Sequence, residues 1–144
     1  MIDIHSKLPA QGVTIFSVMT AMAHRLNALN LSQGFPDFAA PPALLKALSQ
    51  ATLDGFNQYA PSDGLISLRE QLAHQFLKRD QLVIDPITEI TITPGATIGI
   101  FCTIQALIHA GDEVIIFDPC YDSYGPSVQL VGAKAIHIPL VVPE

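Results

Sequence analysis

The stretch around Gly95 constrains the fold of this chain more than any other part. Alternating Ile and Thr at 90–93 predict a short strand, and Pro94-Gly95 predicts a tight turn. An apolar helix is predicted at 97–110, and the continuous apolar run at 114–117 predicts a strand of a buried parallel sheet. A strand, a helix and a second strand in this order form a βαβ unit, so the stretch predicts an α/β fold.

The turn at Gly95 also predicts an anion site. The first N–H groups of a helix have no partner within the helix, and they point outward at its positive end. A phosphate group fits such a place, and Thr97 adds a hydroxyl donor. The residues alone leave a plain helix start open as the alternative, because helix N-termini are common in parallel-sheet folds.

Hydrophobic periodicity predicts the remaining elements. In the first helix Ile15, Met19, Met22 and Leu26 form one apolar face, and Thr14 is the predicted cap. The predicted helices lie at 14–29, 43–54, 65–79, 97–110 and 123–131, and the predicted strands at 29–31, 90–93, 113–117 and 134–138. The helix at 97–110 is apolar nearly all round, which predicts a buried helix.

Two polar residues of the third helix region have structural interpretations. Asp63 is the predicted N-cap of the helix at 65–79, because its side chain is suited to accept from free helical N–H groups. Arg69 falls largely on the polar side of that helix and is interpreted as a surface or ion-pair residue.

Composition limits the classes of partner. The chain is 49% hydrophobic and 14% charged, which predicts burial against a partner subunit or a further part of the protein. A net charge of -6 disfavours nucleic acid and anionic membrane surfaces. We predict a cytoplasmic protein, because the sequence shows no signal-peptide pattern, no apolar run of membrane-spanning length and only two cysteines. The five histidines lack metal-ligand spacing, so we predict no metal site.

Five motifs stand in a familiar order along the chain. They are Leu31-Ser32-Gln33-Gly34-Phe35-Pro36-Asp37-Phe38, Asn57-Gln58-Tyr59 with Gly64 and Leu68-Arg69, Thr93-x-Gly95-Ala96-Thr97, Gly111-Asp112-Glu113-Val114, and Pro119-x-Tyr121-x-x-Tyr124. This series resembles the N-terminal part of the fold-type-I pyridoxal-phosphate-dependent aminotransferases of class I/II, and within them the methionine and kynurenine aminotransferase branch. The resemblance implies an incomplete aspartate aminotransferase-like PLP-transferase fold, with a parallel-type sheet and helices on both faces.

The resemblance also implies a cofactor site for pyridoxal 5'-phosphate (PLP). In the family, the turn that matches Gly95, Ala96 and Thr97 holds the cofactor phosphate. The residue that matches Tyr121 stacks on the pyridine ring. The residue that matches Tyr59 reaches the phosphate from the partner subunit of a homodimer.

The segment that matches Gly34 and Phe35 lies over the substrate in the family. The implied reaction transfers an amino group between an amino acid, such as methionine or an aromatic amino acid, and a 2-oxo acid. Residues 1–40 match the N-terminal helix and substrate-lid segment, and residues 41–144 match the first, truncated part of the large cofactor-binding domain.

Other family residues have no match in this chain. The family uses a Schiff-base lysine in a Ser-x-x-Lys-type motif, and Lys7, Lys46, Lys78 and Lys134 all lie outside such a motif. We therefore assign no catalytic residue and expect the chain alone to be inactive. A PLP-dependent carbon–sulfur lyase and a catalytically inactive truncated remnant remain as alternatives. A nucleotide-binding domain is disfavoured, because neither Gly-x-Gly-x-x-Gly nor a P-loop motif occurs.

Overall fold

A computed structural model of the chain describes residues 5–34 and 36–141. Within these residues it contains five helices and two strands. In chain order they are α1 (Ile15–Leu26), α2 (Pro42–Leu53), α3 (Ile66–Asp80), α4 (Ala96–Leu107), β1 (Glu113–Asp118), α5 (Tyr124–Leu130) and β2 (Lys134–Pro139). All five predicted helices and the two later strands are confirmed, with ends that agree to within about three residues.

The two earlier predicted strands, at 29–31 and 90–93, are wrong. Both segments are irregular, and in the described part of the chain β1 and β2 pair only with each other. A strand needs a neighbour for its backbone groups, so an isolated segment satisfies them elsewhere. The N–H of Ile92 donates to the carbonyl of Asp63 at 3.0 Å instead of joining a ladder.

β1, α5 and β2 form a parallel βαβ unit from the predicted strand 113–117, helix 123–131 and strand 134–138. The βαβ unit predicted around Gly95 is wrong for the described residues, because its first strand, at 90–93, is absent. The two strands run parallel, with Glu113 opposite Lys134 and Asp118 opposite Pro139. α5 packs on both strands, and its Val128 is fully buried. Ile116 of β1 is also buried, so the core of this unit lies between the sheet and α5.

The described residues divide into two compact units. The first contains residues 5–34 and 94–141, with α1, α4, β1, α5 and β2. The second contains residues 36–93, with α2 and α3.

The prediction that α4 is a buried helix is wrong for the described chain. None of its residues is buried, and Ile98 and Leu107 are 42% and 66% exposed. α4 packs on α5, but its apolar surface extends well beyond that contact. A helix that is apolar on every side is typical of a buried environment, which the described residues do not provide for α4.

α1 packs through a different stripe from the predicted one. Phe16, Met19, Thr20 and Ala23 are half-buried and lie at spacings of three and four, whereas Ile15 and Leu26 are 60% and 63% exposed. The predicted cap is confirmed, since the Thr14 side chain accepts from the N–H of Ser17 at 3.3 Å. Capping is decided by neighbouring residues, and packing is decided by the rest of the fold.

Arg69 of α3 is buried, which corrects its interpretation as a surface residue and confirms the ion pair. Its side chain is 7% exposed, and one guanidinium nitrogen lies 2.9 Å from an Asp63 carboxylate oxygen. Another nitrogen donates to the carbonyls of Pro86 and Ile87, at 3.1 and 3.3 Å. Contrary to the prediction, Asp63 is not the N-cap of α3. Leu65 holds that position and makes no side-chain hydrogen bond, and the Asp63 carboxylate pairs with Arg69.

Candidate functional site

Gly95 begins α4 in a backbone conformation that favours glycine. Its φ is 87° and its ψ is 160°, a region that residues with a Cβ rarely adopt. A Cβ built on Gly95 would meet nothing within 4 Å, so the space above the turn is open. The glycine is therefore required by the backbone conformation, and it leaves room for a ligand at the turn.

The first turn of α4 offers donors at this open place. The N-cap supplies no side-chain hydrogen bond, and helical geometry leaves the N–H groups of Ala96 and Thr97 without partners inside the helix. The Thr97 side chain is exposed at the same turn. An anion fits this arrangement, because the donors and the helix dipole act in the same direction. The residues present thus fit the phosphate group of PLP.

Tyr121 lies in the loop that follows β1. Its side chain is 48% exposed, so one part of the ring is covered and another is open. The ring centroid lies 6.2 Å from that of Phe16 and 6.0 Å from that of Tyr124, with interplanar angles of 32° and 56°. Ligands of α/β proteins bind beyond the carboxyl ends of parallel strands, which is where this loop begins.

Asp118 anchors the base of the Tyr121 loop. Its carboxylate lies 2.9 Å from Nδ1 of His137 on the neighbouring strand, and its carbonyl accepts the N–H of Leu140 at 2.8 Å. The hydrogen bond with His137 lowers the pKa of the Asp118 carboxyl below its ordinary value. The last residue of β1 is therefore fixed to β2 at the point where the loop leaves the sheet.

Cys120 lies beside Tyr121 but is unsuited to act as a nucleophile. Partial loss of water around its thiol raises its pKa, and the nearby Asp118 carboxylate raises it further. A thiol with a raised pKa remains protonated near neutral pH, and the thiolate is the reactive form. This agrees with the interpretation of Cys120 as a plain thiol.

An open apolar groove of about 550 Å³ lies next to this loop. Side chains of α4, β1 and α5 line it together with Tyr121 and Tyr124. Apart from Tyr121, Tyr124 and Cys120, the residues that line it are apolar. The groove suits an apolar group better than a charged one.

The other predicted site residues are Tyr59, Gly34 and Phe35. Tyr59 belongs to the second unit, and its side chain is fully exposed. Gly34 is exposed, with nothing within 4 Å of a built Cβ, and Phe35 lies outside the described residues. The structure thus brings Gly95, Ala96, Thr97 and Tyr121 into one unit and places Tyr59 in the other.

Sequence reasoning missed Phe16, whose ring contacts Tyr121, and the Asp118–His137 pair at the base of the Tyr121 loop. Phe16 lies next to Ile15 but on a different side of α1, so the chosen apolar stripe excluded it. Asp118 and His137 lie near the ends of two strands that pair in parallel. The shared edge of these strands was the signal that could have predicted the pair. The two residues are 19 positions apart, so local sequence patterns did not indicate their contact.

Residues 5–34 and 36–141 show neither a cluster of metal ligands nor a membrane-spanning helix. They contain no group of three His, Cys, Asp or Glu side chains arranged to hold a metal ion. None of their helices has both the length and the apolar character needed to cross a membrane.

The chain matches known proteins along most of its length. Residues 27–144 match the family of class I and II aminotransferases. Methionine aminotransferase of Escherichia coli K12 is 45% identical over 139 residues, which cover 96% of this chain and 36% of that protein. Human kynurenine–oxoglutarate transaminase 3 is 43% identical over 122 residues, which cover 84% of this chain and 27% of that protein.

Solved structures agree with these matches. The crystal structure of YbdL from Escherichia coli, which identified a methionine aminotransferase function, superposes with a TM-score of 0.92 at 43% identity. The match covers 99% of this chain and 37% of that one. It confirms the predicted aspartate aminotransferase-like α/β fold, and the chain spans about a third of the length of the curated relatives it matches.

The matches indicate the cofactor and the substrate classes of the family. Class I and II aminotransferases are PLP-dependent enzymes that act on amino acids and 2-oxo acids. The resemblance to the methionine and kynurenine branch is confirmed. With 118 of its 144 residues inside the family match (27 to 144), this chain belongs to the class I and II aminotransferases.

Proposed function

We propose that this chain is the N-terminal, cofactor-binding part of a PLP-dependent aminotransferase. The enzyme transfers an amino group between an amino acid and a 2-oxo acid. The observation that carries the proposal is the open turn at Gly95, where α4 begins without a side-chain cap in a chain of this family. An uncapped helix start with free space above it suits a phosphate group.

Gly95, Ala96 and Thr97 hold the cofactor phosphate in this proposal. Gly95 lets the backbone approach the phosphate closely, since its position has no Cβ and open space above it. The N–H groups of Ala96 and Thr97 donate to phosphate oxygens, and the Thr97 hydroxyl adds a third donor. Hydrogen bonds to a charged acceptor contribute about 1.5–3 kcal/mol each, so this turn supplies much of the cofactor affinity.

Tyr121 stacks on the pyridine ring of the cofactor. Its half-exposed ring has an open part for a second aromatic ring, and such stacking adds about 0.5–1.5 kcal/mol beyond burial. PLP supplies the electron sink for chemistry at the amino-acid carbon when it is bound. The contribution of this chain is to hold and orient the flat ring.

Three further residues complete the proposed site. Tyr59 reaches the cofactor phosphate of a partner subunit in a homodimer, and its full exposure leaves it available for such a contact. Gly34 and Phe35 cover the substrate. We retain the division into an N-terminal lid segment, residues 1–40, and the first part of the cofactor-binding domain, residues 41–144.

The amino donor is methionine or an aromatic amino acid in this proposal. Relatives named for methionine and kynurenine match most of this chain. The apolar groove beside Tyr121 favours a donor with an apolar side chain. The two free thiols, Cys102 and Cys120, support a cytoplasmic location.

The lysine that attaches the cofactor is not among the four lysines of this chain. None of them stands in the motif of the family, and Lys134 is already paired with Glu113 at 3.1 Å. We therefore propose that these 144 residues are inactive by themselves. Mixing the chain with PLP, reducing with borohydride and mapping adducts by mass spectrometry tests this. A single stoichiometric lysine adduct would contradict it.

Comparing the affinity of the chain for PLP with its affinity for pyridoxal, which lacks the phosphate, tests whether the Gly95 turn binds the phosphate. Thr97→Val removes one donor to the phosphate, so we expect about a tenfold weaker affinity for PLP and unchanged binding of pyridoxal. Thr103→Val is the matched control, because the Thr103 hydroxyl of the same helix donates to the Gly99 carbonyl at 2.8 Å. Equal affinity of the parent chain for PLP and pyridoxal would overturn the assignment of the Gly95 turn.

A further inference from the structure

Tyr121 lies between two other aromatic rings that come from different helices. Phe16 belongs to α1, and Tyr124 is the first residue of α5. Both ring centroids lie near 6 Å from that of Tyr121, at 6.2 and 6.0 Å, and both rings are tilted. This is the distance range in which aromatic pairs attract beyond the burial of their surface.

Phe16 faces the Tyr121 loop from the packed side of α1. It shares the half-buried stripe with Met19 and Thr20, and Thr20 accepts a hydrogen bond from Asn30 at 3.2 Å. The apolar residue next to it in sequence, Ile15, is 60% exposed. Two neighbouring apolar residues of one helix thus differ in burial, and the more buried one, Phe16, contacts the Tyr121 ring.

A stacking ring contributes most when its plane is set before the ligand arrives. A free tyrosine side chain rotates about two bonds, and restricting that rotation on binding costs free energy. A neighbour that already restricts the ring removes part of this cost. Tyr124 is three residues from Tyr121 in the same segment, whereas Phe16 approaches from a distant part of the chain.

We propose that Phe16 is a positioning residue, which holds the Tyr121 ring in the orientation that stacks on the cofactor and so links docking of α1 to cofactor binding. This inference rests on the proposed function. Because coupling between two sites is reciprocal, the bound cofactor in turn strengthens the docking of α1. Phe16 itself need not touch the cofactor.

The tyrosines of the chain provide a direct probe of this contact. The chain has no tryptophan and three tyrosines, so Tyr59→Phe with Tyr124→Phe leaves Tyr121 as the only fluorescent residue and keeps both rings. In this background Phe16→Ala removes the α1 ring. We expect acrylamide to quench Tyr121 about twofold more strongly, since one side of the ring becomes open to solvent. The matched control is Ile15→Ala, which shortens the neighbouring exposed side chain.

The variant Phe16→Leu, together with circular dichroism, distinguishes a change in the position of the Tyr121 ring from a general loss of folded structure. Leucine retains apolar bulk without a ring, so we expect quenching between that of the parent and that of Phe16→Ala, with unchanged helix content. Equal quenching in Phe16→Ala and Ile15→Ala would overturn the inference. Quenching of the parent as strong as that of a free tyrosine derivative would also overturn it.

Cofactor binding is measured separately, with Phe16→Ala and Ile15→Ala made in the parent chain that keeps Tyr59 and Tyr124, through the loss of tyrosine emission. We expect Phe16→Ala to weaken the binding of both PLP and pyridoxal by about two- to tenfold, because the ring contact does not involve the phosphate. Unchanged binding together with a more exposed Tyr121 would overturn the link to the cofactor. No binding of PLP by the parent, with Tyr121 still protected by Phe16, would instead overturn the proposed function.

Discussion

Gly64 and Gly95 share a positive φ but not their surroundings. Their φ values are 97° and 87°, both in the region that favours glycine. A Cβ on Gly64 would collide with the side chain of Ile92, whereas a Cβ on Gly95 would meet open space. The first glycine allows two parts of the chain to pack closely, and the second keeps a helix start accessible.

The same contrast separates the polar groups of the two regions. Near Gly64, Arg69 is buried, with one nitrogen on Asp63 and another on two backbone carbonyls. At Gly95, the first turn of α4 has no side-chain cap and an exposed threonine. Polar groups that are paired within the chain hold the fold, and groups left open at a helix start are available for a ligand.

Gly64→Ala tests this contrast with the largest expected effect. We expect a loss of about 2–5 kcal/mol in the free energy of unfolding, from backbone strain and the collision with Ile92. Gly95→Ala has the strain without the collision, so its loss is about 1–3 kcal/mol. Urea denaturation measures both, with Gly12→Ala as the control at an open position with ordinary backbone. Equal losses at Gly64 and Gly95 would contradict the contrast.

Arg69→Leu is expected to have the next largest effect. Breaking a fully buried ion pair costs roughly 3–5 kcal/mol, and the half-exposed Asp63 reduces the expected loss to about 2–3 kcal/mol. The carbonyls of Pro86 and Ile87 lose their donor in the same variant. Arg79→Leu is the control, because the Arg79 side chain is 75% exposed in its own ion pair. Similar unfolding midpoints for Arg69→Leu and Arg79→Leu would show that the buried contacts of Arg69 add nothing to stability.

Thr14→Ala sharpens the comparison between a capped and an uncapped helix. The Thr14 side chain accepts an N–H of α1, so its removal is expected to cost about 1 kcal/mol. Thr14→Ser keeps the hydroxyl and is expected to retain most of that stability. Hydrogen exchange of the α1 amides measures the change locally. Equal exchange in the alanine and serine variants would rule out the cap as its cause.

The Asp118–His137 pair predicts a small effect that depends on pH. The pKa of Asp118 is lowered in the folded chain, so its contribution is present above the unfolded carboxyl pKa, about 3.9, and is lost as pH falls through the lower folded value. We expect Asp118→Asn to destabilise the chain at pH 7, and we expect this difference to shrink as pH falls below about 3.9. Urea titrations over a series of pH values measure this, and a difference that stays constant as pH falls would contradict it.

Local patterns predicted the elements but not their neighbours. The helix positions, the Thr14 cap and the run that forms β1 depend on residues close in sequence, and all are confirmed. The strand predicted at 90–93 failed because its backbone groups found other partners, including the carbonyl of Asp63. The site residues of the Gly95 turn and Tyr121 came from motif order, and their binding roles stay predictions.

The sequence was sufficient for the family, since five motifs in order identify it, and for the helices, the two later strands and the glycine turn, since each depends on residues close together along the chain. The tertiary structure alone decided that Phe16 and not Ile15 faces Tyr121, that Arg69 is buried, and that Asp118 pairs with His137. These contacts join residues 17 to 105 positions apart, from Arg69–Pro86 to Phe16–Tyr121. Which of many chemically suitable partners meet over such separations depends on packing of the whole chain, which local periodicity does not encode.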